Sequence, residues 1–208
     1  ILSLKEKLEK KTLIIEEPIG KIFKKDEVLE RNLVCIYYIC KIFPPSSLQG
    51  FFLRSELALT LGKDRGNYFR KKGRSSGERS RLLNRGDIKK TGHKINRSPL
   101  FKLTDNGIIN AKRIIKIKSK RYENRFKKLV SKWKSNYSKV DQMTTTLTLK
   151  ALLNGKQTIS DLVTITGLSK GQVYGCVGDL ARKNMVKNVG NKGRSKIWKA
   201  IDPNKKGK

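Results

Sequence analysis

The chain has 208 residues, and its 49 Lys and Arg against 17 Asp and Glu leave a formal charge of +32. Charge at that density repels itself, so a polyanion such as DNA, RNA or an anionic surface is the simplest partner. A membrane span is excluded, because no apolar run approaches the roughly 18 residues one requires. Hydrophobic residues at 37% suffice for modest cores in one or two domains. The three cysteines, Cys35, Cys40 and Cys176, form no paired spacing, and no secretory pattern opens the chain. Both features predict a cytoplasmic protein without a disulfide framework, and a DNA partner would make it nucleoid-associated. A first residue of Ile1 instead of Met is consistent with a trimmed or internally started chain. The single histidine, His93, lies far in sequence from every cysteine, so no metal and no cofactor are expected. The acidic residues are scattered, and no nucleophile with a neighbouring base is visible. No catalytic residue is therefore predicted, and the chain reads as a binding protein, not an enzyme.

The positive charge is not a detachable tail. Residues 1–25 carry +3, 26–100 carry +9, 101–142 carry +10 and 143–208 carry +10. Residues 1–25 are expected to add an N-terminal arm or a strand, with a charged helix (Ser3–Lys11) and an apolar run (Thr12–Ile15) ahead of Pro18. Residues 26–104 read as a first module. Val28–Phe43 has Leu29, Leu33, Ile36, Tyr37 and Cys40 at helical spacing and is stopped by Pro44-Pro45. Phe52–Leu61 is expected as a second helix, ended by Gly62. The stretch Lys63–Arg97 then holds 13 basic and 3 acidic residues.

Within that stretch a recognition helix is expected around Asp64–Lys72, followed by a piece ending at Leu82-Leu83. Lys63, Arg65, Asn67, Arg70, Lys71, Lys72 and Arg74 are the candidate nucleic-acid contacts there. Tyr68 and Phe69 read as half core and half surface more than as base-stacking rings. Ile88–Ile95 and Pro99–Leu103 form a basic hairpin with "KKTGHK" at its tip. It would bring Lys89, Lys90 and Lys94 to phosphates, with His93 at most a minor contact. The following "LFKLTDNGIINAKRI" resembles the ending of many winged-helix regulators, where the last wing strand runs into a Thr-Asp-capped helix.

Residues 105–137 contain no proline, and glycine only at Gly107. Ile108, Ala111, Ile115, Ser119, Tyr122, Phe126, Leu129 and Trp133 recur at spacings of three and four. The spacing predicts one amphipathic helix of roughly 30 residues, spanning roughly 45 Å. Its stripe, through Ile115, Tyr122, Phe126, Leu129 and Trp133, is either packed on the chain's own domains or paired in a homodimer. The polar stretch Ser135–Gln142 marks the boundary to the next module.

Residues 143–203 are the most legible part, followed by a basic tail at 204–208. Met143–Leu153 reads as a helix ended by Asn154-Gly155. Thr158-Ile-Ser-Asp161 and Ser169-Lys-Gly-Gln172 are two capping boxes, each opening a helix. The second helix carries Val173, Val177 and Leu180 on one face. Two β-prone runs follow, Met185–Val189 and Lys196–Ile201, separated by the basic turn Gly190–Ser195. "TGLSKGQVYGCVGDLARKNMV" followed by "KIWKAIDP" resembles the DNA-binding domain of archaeal TrmB-type transcriptional regulators, over about 60 residues. The resemblance implies a winged helix-turn-helix, with the capped helix in the major groove and the hairpin beside phosphates. Lys170, Gln172, Tyr174, Arg182, Lys192, Arg194 and Lys196 are its candidate DNA contacts. Gly171, Gly175 and Gly178 depart from a strong helix, each costing roughly 0.8–1 kcal/mol relative to Ala. Close backbone approach to DNA or a partner helix, and a weak helix that reads few bases, both remain open.

The whole is expected to be mostly α with small β-wings: two winged helix-turn-helix modules joined by a long basic helix. Double-stranded DNA is the expected partner, for a transcriptional regulator or DNA-organising factor. A plasmid or viral replication or partition protein is the near alternative. An RNA-binding or ribosome-associated protein is the alternative of another class.

Overall fold

In the computed structural model, residues 22–62, 77–95, 97–140 and 143–203 are described. The predicted recognition helix around Asp64–Lys72, with Lys63, Arg65, Asn67, Arg70, Lys71, Lys72 and Arg74, lies outside them, as does nearly all of the N-terminal arm. The fold is mostly helical, with two small antiparallel sheets.

Apolar density makes α1 (Val28–Lys41) the centre of the first half: Leu33, Val34, Cys35, Ile36, Ile39 and Cys40 are all fully buried. Pro44-Pro45 ends its path, and a single 3-10 turn (Ser46–Leu48) leads into β1 (Phe51–Leu53) and α2 (Arg54–Thr60). The predicted helix over Phe52–Leu61 is thus corrected at its start. Three residues are too few to show strand periodicity, and all three are buried, so no polar alternation betrays them. α3 (Glu78–Asn84) precedes the hairpin of β2 (Ile88–Ile95) and β3 (Ser98–Leu103). The strands lie in the order β1-β3-β2, with Phe52 opposite Phe101 and their rings stacked at 5.5 Å.

The expected single helix over 105–137 is two. α4 (Asp105–Arg121) is capped by Thr104, whose side chain accepts the Gly107 N–H. It ends where Tyr122 leaves helical geometry at φ −136° and ψ 41°, and α5 (Glu123–Ser138) begins there. The break turns α5 back onto α2. Phe126, Leu129 and Trp133 are then only 4%, 3% and 3% exposed, within the same apolar core as α1. Ile115 and Tyr122 pack half-buried at its edge. Of the two expectations for this stripe, packing on the chain's own domains is the one observed and no homodimer is shown, because burying three large side chains outweighs one irregular residue. Lys118, also on the buried side of α4, is paired with Glu27 at 2.6 Å and sits over the Phe23 ring.

The second half comprises α6 (Thr144–Asn154), β4 (Gln157–Thr158), α7 (Ile159–Thr166), α8 (Lys170–Arg182), β5 (Val186–Lys192) and β6 (Ser195–Ala200). Both predicted capping boxes form: Thr158 accepts from the Asp161 N–H and Ser169 from the Gln172 N–H. The two β runs extend further than expected, leaving Gly193-Arg194 as the turn, with Gly193 at φ 60°. β4 joins this hairpin to give the order β4-β6-β5. Among the described residues the two halves thus share one element order (helix, strand, helix, helix, strand, strand) and one strand order, with the third strand in the middle.

The halves also share a core. Phe52 and Phe101 face the cluster around α1, whereas Phe51, Leu53, Ile95 and Leu100 join Leu149, Leu152, Leu162, Val173 and Leu180 in a second cluster. α6 lies between this first sheet and its own module, so even Lys150 is buried. Its ammonium reaches Glu56 Oε1 at 2.5 Å, with side-chain exposures of 2% and 3%. The other Glu56 oxygen accepts the Leu53 N–H at the start of α2.

Candidate nucleic-acid interface

Packing decides which face of α8 meets solvent. Val173, Cys176, Val177 and Leu180 are buried, so helical spacing turns Gly171, Gly175, Gly178 and Arg182 outward. Among the described residues, nothing lies within 4 Å of where a Cβ would stand on any of those three glycines. Lys170, Gln172 and the large Tyr174 are exposed on the same helix. The Ser169 hydroxyl and the Gln172 side chain close the first turn reciprocally, which orients the start of the helix. Arg182 is tied to Asp179 one turn back.

The hairpin beside α8 is a projecting arm. After Val186 every residue of β5 is exposed, and Lys192, Arg194 and Lys196 all stand in solvent around the Gly193-Arg194 turn. A register shift between Asn188 and Gly190 bends the strand, with Gly190 at φ 144°. At the base, the Thr158 backbone and hydroxyl donate to Asp161 and hold its carboxyl below the ordinary range. The seven predicted contacts of residues 143–203 are therefore all exposed, on one helix and one adjoining hairpin.

In the first half, Lys89, Lys90 and Lys94 are exposed along β2, and so is Arg97 in the turn after it, at φ 64°. The expectation that "KKTGHK" forms the hairpin tip is corrected, because the strand runs on to Ile95. His93 is corrected too. It is 5% exposed, and burial pushes its imidazole below its ordinary pKa, against the opposing influence of Ile201, Asp202 and Thr91. A buried neutral ring is unsuited to phosphate. Among the described residues α3 precedes its hairpin as α8 precedes its own, and it carries Arg79 and exposed Arg81. Neither was foreseen, although the Glu78-led turn with Leu82 and Leu83 four and five residues on is a short helix signal.

Among the described residues, no group of three His, Cys, Asp or Glu is arranged to hold a metal ion, and no helix is long and apolar enough to cross a membrane. Cys35, Cys40 and Cys176 are free and buried, and burial pushes the first two thiols upward.

Over the last third of the chain a capped helix thus stands beside an exposed basic hairpin. Residues 138–200 match the family model of the DIP2311-like transcriptional regulators, for their C-terminal domain. No curated protein and no solved structure gives a significant match.

Proposed function

We propose that the protein is a transcriptional regulator that binds double-stranded DNA through two winged helix-turn-helix modules held as one body. α8 is the recognition helix of the second module and the β5–β6 hairpin its wing, with Lys192, Arg194 and Lys196 on phosphates and Lys170, Gln172 and Tyr174 toward the groove. Lys89, Lys90 and Lys94 play the wing's part in the first module. The observation that carries this reading is the repeated element order with an identical strand order, in which the copy matching a regulator domain bears a basic, exposed hairpin beside a capped helix. The wording around Ser169–Tyr174 and the closing Asp202-Pro203 favour the archaeal TrmB-like branch of such regulators. The protein acts by binding, with no catalysis and no cofactor. Fluorescence anisotropy on a duplex of roughly three helical turns, its single strand and a structured RNA tests it. At roughly 50 and 200 mM salt the duplex should bind tightest, and its affinity should fall by orders of magnitude between the two. Preference for the RNA or the single strand would reject the reading.

A further inference from the structure

α4 and α5 are not only a spacer. Residues 105–138 hold eleven Lys and Arg against Asp105 and Glu123. Of the eleven, only Lys118 is buried; the other ten are exposed. On α4, burial of Gly107, Ala111, Ile114 and Lys118 fixes which side faces out. Lys112, Lys116 and Lys120 then stand on the outward side at spacings of four, with Arg113 beside them, and no carboxylate follows Asp105 on this helix. The three lysines cover roughly 12 Å of helix, which spans several phosphates of a duplex whose charges recur every ~1.7 Å along the axis. A solvated face of an ordinary helix carries both signs and forms i,i+4 pairs, as Glu123 and Lys127 do on α5. This face of α4 has no acid with which to do so.

We propose that the outward face of α4, through Lys112, Arg113, Lys116 and Lys120, is a third phosphate-binding surface for the duplex that the two modules bind. This proposal rests on the reading of the protein as a duplex-DNA binder. The face begins directly where β3 of the first module ends: Thr104 joins the helix to the loop at Gly86 and Asp87, and Asn106 donates to the Arg85 carbonyl. Lys102 and Arg85 are exposed at that junction, so the basic surface runs from the hairpin onto the helix. Ile109 and Ile117, 66% and 58% exposed, lie on the same side. A second copy of this chain packed on them would set Arg113 and Lys116 against like charges, whereas phosphate supplies the missing sign.

The test uses the full chain and the triple variant Lys112→Gln/Lys116→Gln/Lys120→Gln, whose positions are exposed and leave the core untouched. Lys192→Ala/Arg194→Ala serves as the wing control. Duplex affinity is measured over a salt series, with poly-glutamate as an acidic-protein competitor. The triple variant should lower the slope of log affinity against log salt by about 2–3 and weaken binding at low salt by at least about tenfold. An unchanged slope and affinity, while the wing control loses both, overturns the third surface and leaves the duplex reading standing. If poly-glutamate binding depends on the three lysines and duplex binding does not, the face belongs to an acidic protein and the proposal is wrong. Absence of duplex binding by the unmodified chain rejects both readings together.

Discussion

Single residues show where the chain has no freedom. Gly107 lies in the first turn of α4 directly against the Asp87 carbonyl and the Leu103 side chain, and a Cβ there would overlap both. Asp87 is itself fixed, accepting from Asn110 at 2.7 Å and pairing with Arg85 at 3.0 Å. The loop therefore cannot retreat cheaply. Gly107→Ala should cost about 1–3 kcal/mol in urea unfolding, as overpacking of a tight site does; a neutral or stabilising result would show the contact to be loose. His93 gives a pH dependence. Its folded pKa lies below the ordinary 6.5 because burial disfavours the imidazolium. The unfolded chain takes up that proton first, so the stability it contributes is complete above about pH 6.5 and is lost as pH falls from there toward the folded value. Unfolding midpoints should drop between pH 7.5 and 5.5, and His93→Gln should flatten that drop. An equal slope in the variant would assign it to other groups.

At the scale of elements, local chemistry was readable and pairing was not. The capping boxes at Thr158 and Ser169 form as their spacing predicts, because each needs only side chains three residues apart. β1 and β4, of three and two residues, acquire their identity from partners far along the chain, Leu100–Lys102 and Ile197–Trp198. The break at Tyr122 has no proline or glycine to announce it and follows from what α5 buries. The exposed surface of residues 143–203 was legible because a capped helix and a glycine-turned hairpin are contiguous, whereas exposed Arg81 of α3 and the lysines of α4 become distinct only once burial has fixed the helix faces. The glycines of α8 make a sharp test. They face open space, so Gly175→Ala and Gly178→Ala should each stabilise the protein by roughly 0.8–1 kcal/mol through helix propensity. If that bare face meets DNA closely, the same variants should bind duplex more weakly. Greater stability with unchanged affinity would place α8 away from the groove.

The whole molecule is held together by a contact that no local pattern foretells. Lys150, inside the apolar run Leu147–Leu153, meets Glu56, 94 residues earlier in the chain. Removing one partner leaves a buried charge alone, so Glu56→Gln should destabilise by about 3–5 kcal/mol. Glu56→Leu/Lys150→Met should cost clearly less than the sum of its single variants in chemical denaturation. Additive effects would mean the pair does not join the two halves. That joint, with the shared apolar cluster, gives the two basic hairpins a fixed relation, so the proposed function requires one duplex to meet both at once. The most direct test of duplex binding by this body is backbone hydrogen exchange of the full chain with and without a duplex. Slowed exchange should concentrate at the start of α8, residues 169–178, and along the hairpin at 187–196, with Lys89–Lys94 protected in the same titration. Protection confined to other segments, with these three unchanged at saturating duplex, would contradict the account.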